Sequence, residues 1–480
     1  MCPRVIQSVG VDIGTTTTQL VFSALQLQNL GGVTQTPRYA ITSREILYKS
    51  PVVFTPKSSW GTLDADSLRA LIDGWYAQAG KKVSDVETGA VIITGESLKA
   101  SNAREIVMDM VSGLGDFVVA TAGPHLESIL AGRGAGVAAR SMLHLGRHIN
   151  LDIGGGTSNF AVFERDKVVA TACLNVGGRL VELTESGKVK HIHTPALRIV
   201  EDVLPGYSES SITPQHIAAV ADRMAELICQ VLSGHPDKLC MSLLQTAPLP
   251  FSQYASVSVS GGVGACMVEA SGSPYRFGDM GPLLAEALYR RLKAAKVNLI
   301  ESEQTVRATV IGAGAWSLTL SGSTVWAHQD VLPLRNIPVA AVDIDWDIFS
   351  VIPQPALENA VSRLDLNEGE LFIFAFGRVP EVTYRTVQLL TDALVIFYRN
   401  HPQQQTILVS VEDDMGKALG MALHAYIQKP IVVIDEVNLR EGDYVDLASS
   451  LQGGSVVPLT IKSLVFPTDT TLKEKKADYA

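Results

Sequence analysis

The chain contains little charge, few cysteines and no long apolar run. Lysines and arginines total 39 against 49 aspartates and glutamates, a net charge of −10 without a basic cluster, which argues against a nucleic-acid partner. The five cysteines are scattered without a Cys-x-x-Cys pair, as is typical of reduced cytoplasmic thiols rather than of disulfides or zinc ligands. No apolar stretch approaches the roughly 18 residues that a membrane-spanning helix needs. The sequence therefore predicts no membrane segment.

Two further features are missing. The first apolar strand follows Met1 almost directly, so no signal peptide is predicted, and no Gly-x-Ser-x-Gly motif of a serine nucleophile occurs. What the chain does have is length and apolar character, with 480 residues of which 46% are hydrophobic and 18% charged. That length predicts roughly two to four domains. The low charge predicts strands buried on both faces, as in α/β folds.

The most informative motif occurs twice, at 12–18 as Asp-Ile-Gly-Thr-Thr-Thr-Thr and at 152–158 as Asp-Ile-Gly-Gly-Gly-Thr-Ser. The copies lie 140 residues apart (152 minus 12), and each stands between two short apolar runs. An apolar strand, a tight polar turn and a second apolar strand predict a β-hairpin. Glycine and hydroxyl residues at the tip let backbone N–H groups approach an anion, and the leading aspartate can hold a metal's water. Two such hairpins predict a duplicated domain that binds the phosphates of a nucleotide from both sides.

Hydrophobic periodicity divides the chain into three predicted domains, at 1–148, 149–330 and 331–480. The first two each open on one of the hairpins, and the third alternates strands and helices in the pattern of a parallel sheet. The predicted helices are 64–78, 100–111, 124–143, 214–232, 282–295, 303–318, 382–399 and 415–427. The predicted strands outside the hairpins are 41–53, 91–95, 117–121, 257–260, 339–342, 371–376, 407–411 and 431–434.

Some residues allow both a functional and a structural interpretation. Gly132, Gly134 and Gly136 interrupt the predicted helix 124–143, either to let another element pack closely or to approach a ligand. Glu127, near the start of the same helix, is either a partner of the helix dipole or a site residue.

Two groups that look like metal sites are predicted to be ordinary surface. His191 and His193 alternate on a predicted strand, but no acidic or cysteine partner lies near them in sequence. Asp343, Asp345 and Asp347 lack the glycine and the terminal glutamate of a calcium-binding loop. We therefore expect a solvated strand and a solvated turn at these positions.

Five elements stand in an informative order. They are the first hairpin, a glycine-bearing helix at 127–136, the second hairpin, a strand with a Gly-Gly turn at 260–264, and a second glycine-bearing helix at 312–314. This order resembles the actin, Hsp70 and sugar-kinase superfamily of ATP-binding proteins. The resemblance implies an α/β fold with duplicated actin-like (ribonuclease H-like) ATPase lobes, followed by a C-terminal βα-rich accessory domain. ATP would lie between the two lobes.

The same resemblance implies a role for each site residue. Asp12 and Asp152 would organise Mg²⁺ through its waters and, with Glu127, form the catalytic set, and Glu127 would orient an attacking water or touch the metal shell. Asn159 departs from the Hsp70 wording, in which an aspartate ends the second hairpin. The implied ATP contacts are Gly14, Thr15, Thr16, Gly154, Gly155, Gly156 and Thr157 for the phosphates, and Gly261 and Gly262 for the adenosine.

A narrower resemblance covers nearly the whole chain. The segments that carry it are similar to the ethanolamine ammonia-lyase reactivating factors, and within that family Asn159 is expected. The resemblance implies an ATP- and Mg²⁺-dependent chaperone that docks on ethanolamine ammonia-lyase, a coenzyme B12-dependent enzyme, and promotes exchange of damaged cobalamin. It leaves open a homodimer and association with a bacterial microcompartment. The segments are 9–22, 150–159, 279–284, 307–315 and 453–459.

Two other functions in the same superfamily stay open. A small-molecule kinase for sugars or polyols would need a catalytic base near the γ-phosphate, and the sequence offers no obvious candidate beyond Asp12 and Asp152. A filament-forming or scaffold ATPase would assemble in a nucleotide-dependent way. The missing substrate base favours the chaperone over the kinase.

Overall fold

The computed structural model describes residues 4–463 apart from 15–16, 30–38, 52, 57–62, 87, 95–115, 209–210, 269–271, 303–314, 321–325, 345, 347–350, 365, 367 and 449–456. The predicted helix 100–111 and most of the predicted helix 303–318 lie outside the described residues. Within the described part, no helix is both long and apolar enough to cross a membrane.

The first sheet contains the first predicted hairpin, which is confirmed. Strands β1 (Arg4–Ile13) and β2 (Thr17–Asn29) pair antiparallel, and every second residue near the end of β1, Val9, Val11 and Ile13, is buried. The sheet order is β3-β2-β1-β5-β6, with β4 paired to β2 and with β1, β5 and β6 parallel. The added strands are β3 (Tyr39–Lys49), β4 (Val53–Phe54), β5 (Thr88–Thr94) and β6 (Asp116–Ala122).

Helix α1 (Ala65–Gln78) packs on this sheet. Its N-terminus is capped by the Asp64 carboxylate, which accepts a backbone hydrogen bond from the first turn. Leu68, Ile72 and Trp75 lie on one face of the helix and join the buried cluster of the β1 side chains. The helix predicted at 64–78 is confirmed.

One connecting helix passes from the first lobe to the second. Helix α2 (Pro124–Gly134) follows β6 and packs on the second sheet, and helix α3 (Val137–Leu143) continues beyond it. The prediction of a single helix over 124–143 is wrong because Gly136, with φ +82°, adopts the left-handed conformation and breaks it. Gly132 lies so close to the Phe163 ring that a side chain there would overlap it. Its role is therefore close packing.

The Gly132 contact leads to a stability test. Gly132→Ala is expected to lower the free energy of unfolding by about 1–3 kcal/mol, because the fully buried Phe163 ring cannot move away. Gly74→Ala in α1 is the matched control, since an added methyl there meets nothing within 4 Å and should stabilise the helix by about 0.5–1 kcal/mol. Urea unfolding of both variants measures the difference, and equal midpoints would contradict the packing argument.

The second sheet repeats the first. Strands β7 (His148–Ile153) and β8 (Ser158–Glu164) form the second predicted hairpin, with Asp152 opposite Asn159. The other strands of the second lobe are β9 (Lys167–Leu174), the separate pair β10 (Val181–Leu183) and β11 (Val189–Ile192), then β12 (Ser256–Ser260) and β13 (Leu299–Ile300). The sheet order β9-β8-β7-β12-β13, with β7, β12 and β13 parallel, matches the first sheet strand for strand. The chain therefore contains two copies of one α/β lobe, as predicted.

The helices of the second lobe complete its core. They are α4 (Thr194–Val203), α5 (Pro214–Ser233), α6 (Lys238–Leu243), α7 (Gly261–Val268) and α8 (Gly281–Ala294). Helices α5 and α8 pack on each other, and their apolar faces join the inward side chains of β7, β8 and β12 in one buried cluster. The helices predicted at 214–232 and 282–295 are confirmed.

The C-terminal domain is built on an eight-stranded sheet of order β14-β21-β20-β16-β17-β18-β19-β15. Its strands are β14 (Ala315–Leu320), β15 (Trp326–Ala327), β16 (Leu334–Val342), β17 (Ile373–Phe376), β18 (Ile407–Val411), β19 (Ile431–Ile434), β20 (Asp443–Leu447) and β21 (Pro458–Ser463). Strands β16 to β19 run parallel, which confirms the predicted βαβ pattern. The helices between them are α9 (Gln354–Ser362), α10 (Tyr384–Asn400) and α11 (Gly416–Tyr426).

One prediction fails at the start of this sheet. Residues 315–318 are not the end of a helix but part of β14, which pairs antiparallel with β21. The pairing partner lies far along the chain, so the local helical pattern could not reveal it. Strands β14 and β15 join the C-terminal sheet although both precede residue 331.

Candidate functional site

Asp12 lies at the end of β1, directly before the first hairpin tip. Its cross-strand partner is Gln19, whose Nε2 donates a hydrogen bond of 3.2 Å to Asp12 Oδ2. Asp12 Oδ1 is shielded from solvent and accepts no hydrogen bond from the described residues. An aspartate with one satisfied oxygen, and with no donor to the other oxygen among the described residues, is suited to an outside partner.

Asp152 occupies the equivalent place at the end of β7. It is held differently, because the Ser260 hydroxyl at the end of neighbouring β12 donates to Asp152 Oδ1 at 2.6 Å. The Asn150 amide in turn donates to the Ser260 oxygen at 2.9 Å. This relay directs the Ser260 hydroxyl proton at the carboxylate.

Glu127 lies in the first turn of α2, between the two hairpins. Asn159 forms a side-chain hydrogen bond with it, and both Asp12 and Asp152 lie close enough to act on its charge. Asn159 and Gln19 occupy equivalent positions in the two hairpins, but Gln19 bonds the aspartate opposite and Asn159 bonds the glutamate of α2. The structure thus brings the three predicted acids together.

The three carboxylates disfavour one another's charge. Burial raises the pKa of Asp12 from 3.8 to about 7, with a contribution from the negative charge of Asp152 and an opposing one from the Gln19 hydrogen bond. Burial likewise raises the pKa of Asp152 to about 6, against the Ser260 hydrogen bond. The pKa of Glu127 lies well above its usual range because of burial and the two aspartates. Such a cluster favours a cation in its midst.

The tip of the second hairpin is a tight glycine turn. The Gly154 N–H donates to the Thr157 carbonyl at 3.0 Å, which closes the loop around Gly155 and Gly156. A side chain added at Gly156 would meet nothing within 4 Å, so that side of the tip is open. The backbone there is free to meet a phosphate, as the sequence predicts.

The first hairpin tip is described in part. Thr15 and Thr16 lie outside the described residues. The Gly14 carbonyl accepts a hydrogen bond of 2.7 Å from the Thr55 hydroxyl, which also lies 2.9 Å from the Thr18 hydroxyl. Thr55 therefore fixes the entry to the tip, a role that its sequence position does not reveal.

The predicted adenosine turn lies next to the second hairpin. The prediction of a turn over 261–264 is wrong, because helix α7 begins at Gly261 itself. Gly261 has φ +81°, and a side chain on it would lie 2.5 Å from the Ile153 carbonyl oxygen. Gly262 faces open space and is exposed. The pair thus places an open helix start beside Asp152.

Two other groups were predicted to be ordinary surface, and Asp345 and Asp347 of the second group lie outside the described residues. Across the described residues, no three His, Cys, Asp or Glu side chains form a group that could hold a metal directly. His193 does have an acidic partner, since its Nε2 lies 3.1 Å from Glu182 on β10, and sequence distance concealed this contact. Asp343 is exposed and pairs with Lys167 at 2.8 Å.

The sequence did not predict the contacts that hold the acids, although Asn159 itself was noted. Gln19 and Asn159 each stand seven positions after an aspartate of the repeated phrase (19 minus 12, and 159 minus 152), and this shared spacing was the available signal. Ser260 is placed by pairing of β12 with β7, where it stands opposite Asp152. Its contact with Asp152 could not be predicted from the spacing of residues in the sequence.

A family model described as ethanolamine utilisation protein EutA matches residues 4–467. Two relatives named ethanolamine ammonia-lyase reactivase EutA, from Salmonella typhimurium (strain LT2) and Escherichia coli (strain K12), are each 46% identical over 472 residues, which span 98% of this chain and 100% of the relative. Among solved structures, the chain is similar to the type II variant of the Aquifex aeolicus Ppx/GppA phosphatase (TM-score 0.39, 14% identity, 64% of this chain and 98% of that one). It is also similar to ethanolamine utilization protein EutJ from Carboxydothermus hydrogenoformans (TM-score 0.32, 18% identity, covering 65% of this chain and 90% of that one). By the match along nearly its whole length, the chain belongs to the family of ethanolamine utilisation protein EutA.

Proposed function

We propose that this protein is an ATP- and Mg²⁺-dependent chaperone that reactivates ethanolamine ammonia-lyase by promoting exchange of damaged cobalamin. The observation that carries the proposal is the 46% identity, over 98% of the chain, with two proteins named as reactivases of that lyase. The convergence of Asp12, Glu127 and Asp152 between two hairpin tips supports nucleotide use. The partner is then a protein, and the output is a change in that protein.

The residues at the site fit Mg·ATP. Asp12 Oδ1 has no hydrogen-bond partner among the described residues, and burial and the neighbouring acids disfavour a negative charge that a cation would stabilise. They do not form a direct ligand set, so Asp12 and Asp152 would hold Mg²⁺ through its waters. When bound, Mg²⁺ would neutralise the charge that develops on the β- and γ-phosphates.

The remaining contacts follow from the placement of the hairpins. The glycine tip at 154–157 would donate backbone N–H groups to the phosphates, and Gly14, Thr15 and Thr16 would do so from the first lobe. Gly261 and Gly262 would contact the adenosine. Glu127 would orient the attacking water, and its side-chain hydrogen bond with Asn159 fixes its own orientation.

Lobe closure is the step that links ATP to the lyase. Each lobe contributes one hairpin and one aspartate, so ATP bound to both would favour the closed arrangement over the open one. A surface that differs between the two arrangements would then bind the lyase with different affinity. The division into domains at 1–148, 149–330 and 331–480, a homodimer, and a cytoplasmic location with microcompartment association stay predictions.

The direct test is reactivation. Lyase blocked with cyanocobalamin is incubated with this protein, Mg·ATP and adenosylcobalamin, and deamination of ethanolamine is then measured. We expect activity to return only when protein and Mg·ATP are both present. A lyase that stays inactive would overturn the chaperone, and phosphate transfer to a sugar or polyol under the same conditions would support the kinase instead.

Ser260 offers a sharper test of the site. Ser260→Ala removes the donor to Asp152 and is expected to weaken Mg·ATP binding about tenfold, because a hydrogen bond to a charged group is lost. Ser258→Ala on the same strand is the control, since that buried hydroxyl has no hydrogen-bond partner within the described structure. Calorimetric titration compares the two. If both variants lost the same affinity for Mg·ATP, the loss would come from a disturbed β12 strand and not from the missing hydrogen bond to Asp152.

A further inference from the structure

The geometry points to the loop Gly177-Gly178-Arg179 as a positioning element that aims the second hairpin at the phosphates. The loop follows β9 and lies beneath the hairpin tip, away from the three acids in sequence. The inference rests on the proposed ATP site and adds to it the residues that orient the phosphate-binding backbone.

Two hydrogen bonds connect the loop to the tip. The Gly178 N–H donates to the Gly154 carbonyl at 2.9 Å, and the Arg179 N–H donates to the Gly155 carbonyl at 2.7 Å. In a planar trans peptide, the carbonyl of one residue points opposite to the N–H of the next. The two bonds hold these carbonyls toward the loop. The N–H groups of Gly155 and Gly156 therefore point away from the loop. At Gly156 there is also space beside the backbone, because an added side chain would meet nothing within 4 Å.

Packing makes the arrangement possible only with glycine. A side chain on Gly177 would lie 2.5 Å from the Gly155 carbonyl carbon and 2.6 Å from the Gly156 nitrogen. Since both are backbone atoms, the tip itself would have to move. Gly178 is equally restricted on its other side, where a side chain would lie 2.8 Å from the Gly281 Cα at the start of α8.

The loop is itself anchored on both sides. The Gly178 carbonyl accepts the Met280 N–H at 2.8 Å, and the carbonyl of fully buried Val176 accepts the Ser158 hydroxyl at 2.7 Å. The hairpin tip, the loop and the start of α8 thus form three backbone layers in contact. Gly178 also lies close to Val263 of α7, where a side chain on it would be 3.1 Å from Cγ2, whereas the nearest atoms to a side chain on Gly177 belong to Gly155 and Gly156 of the tip. Gly177 is therefore the position that tests the phosphate side.

The test compares ligands that carry different numbers of phosphates. Gly177→Ala is expected to weaken ATP and ADP binding at least tenfold while adenosine binding changes less than twofold. Gly420→Ala is the matched control, because its added methyl would overlap Trp326 within the C-terminal domain, with comparable steric strain far from the hairpin. It should lower stability and leave all three affinities, measured on folded protein, unchanged. Equal ATP affinity in Gly177→Ala and wild type would overturn the positioning role.

A measurement on the wild type covers the case in which Gly177→Ala fails to fold. Amide hydrogen exchange at Gly178 and Arg179 is expected to slow at least tenfold on addition of Mg·ATP, because the bonds to the hairpin tip tighten. The N–H of Gly234 at the end of α5 should not respond. Unchanged exchange in protein that binds ATP would refute the positioning role alone, whereas absence of ATP binding by the wild type would refute the proposed function.

Discussion

Asp12→Asn is expected to stabilise the ligand-free protein at pH 8 and to abolish Mg·ATP binding. The folded-state pKa of Asp12 is raised to about 7, whereas in the unfolded chain it stays near 3.8. A raised carboxylate pKa adds stability at low pH, and this stability is lost as the pH rises through about 7. At pH 8 the wild type therefore carries an unfavourable charge that asparagine does not.

The expected gain at pH 8 is on the order of 2–4 kcal/mol, since each unit of pKa difference corresponds to about 1.4 kcal/mol. The asparagine can still accept the hydrogen bond from Gln19, and its new N–H₂ group can donate toward the neighbouring acids. Thermal unfolding from pH 4 to pH 8 measures the effect. The difference between variant and wild type should vanish near pH 4.

Binding should move in the opposite direction. Without the Asp12 charge the affinity for Mg·ATP is expected to fall about 100-fold or more, so that Mg·ATP no longer raises the melting temperature. Asp64→Asn is the control from the same lobe, because that carboxylate caps α1, its pKa is lowered, and asparagine also caps helices. It should bind normally and gain no stability at pH 8. An Asp12→Asn protein that binds Mg·ATP like the wild type would remove Asp12 from the site.

The repeated phrase predicted the two hairpins because every residue that builds them is local. Asp12 and Asp152 stand at equivalent positions near the ends of their strands, opposite Gln19 and Asn159. The tight turn of the second hairpin follows from three consecutive glycines. The position of Glu127 between them was harder to predict, since it depends on how α2 crosses from one sheet to the other. The local sequence predicted the two hairpins, and the resemblance to the superfamily in the order of elements predicted that Glu127 lies near both of them.

The failures have a common physical cause. Residues 315–318 look helical alone, but they are a strand because β21, far along the chain, supplies their hydrogen bonds. Ser260 and Thr55 likewise act through contacts set by strand pairing and loop closure. Non-local pairing decides such positions, and a single sequence carries little information about it.

Arg363→Met is expected to be among the most destabilising substitutions outside the cores. The Arg363 Nε lies 2.7 Å from Glu441 Oε1, and its Nη2 donates to the Ala341 carbonyl at 3.0 Å. Burial raises the pKa of Glu441, Asp343 adds to the rise, and the charges of Arg363 and Arg133 oppose it. Without Arg363 this largely enclosed carboxylate loses its direct ionic partner.

The network joins the C-terminal domain to the second lobe. Arg133, near the end of α2, pairs with Asp166 at 2.9 Å and also acts on Glu441. Arg363 acts in turn on His125, near the start of α2, and with burial it lowers the pKa of that imidazole. The helix that carries Glu127 therefore meets charges of the C-terminal domain near both of its ends. Loss of Arg363 should weaken this junction as well as the domain.

The expected cost of Arg363→Met is about 2–3 kcal/mol at pH 7, because removal of one partner leaves a poorly solvated charge. The cost should shrink between pH 7 and pH 4, because the raised pKa of Glu441 favours its neutral form as the pH falls, and a neutral carboxyl needs no arginine. Adding Glu441→Gln should recover most of the loss, and this recovery separates the ionic role from lost packing. Lys167→Met breaks an exposed pair with Asp343 and should cost no more than about 1 kcal/mol. Urea unfolding of the four proteins at both pH values decides the matter. A pH-independent loss that Glu441→Gln does not recover would show that Arg363 acts through packing alone.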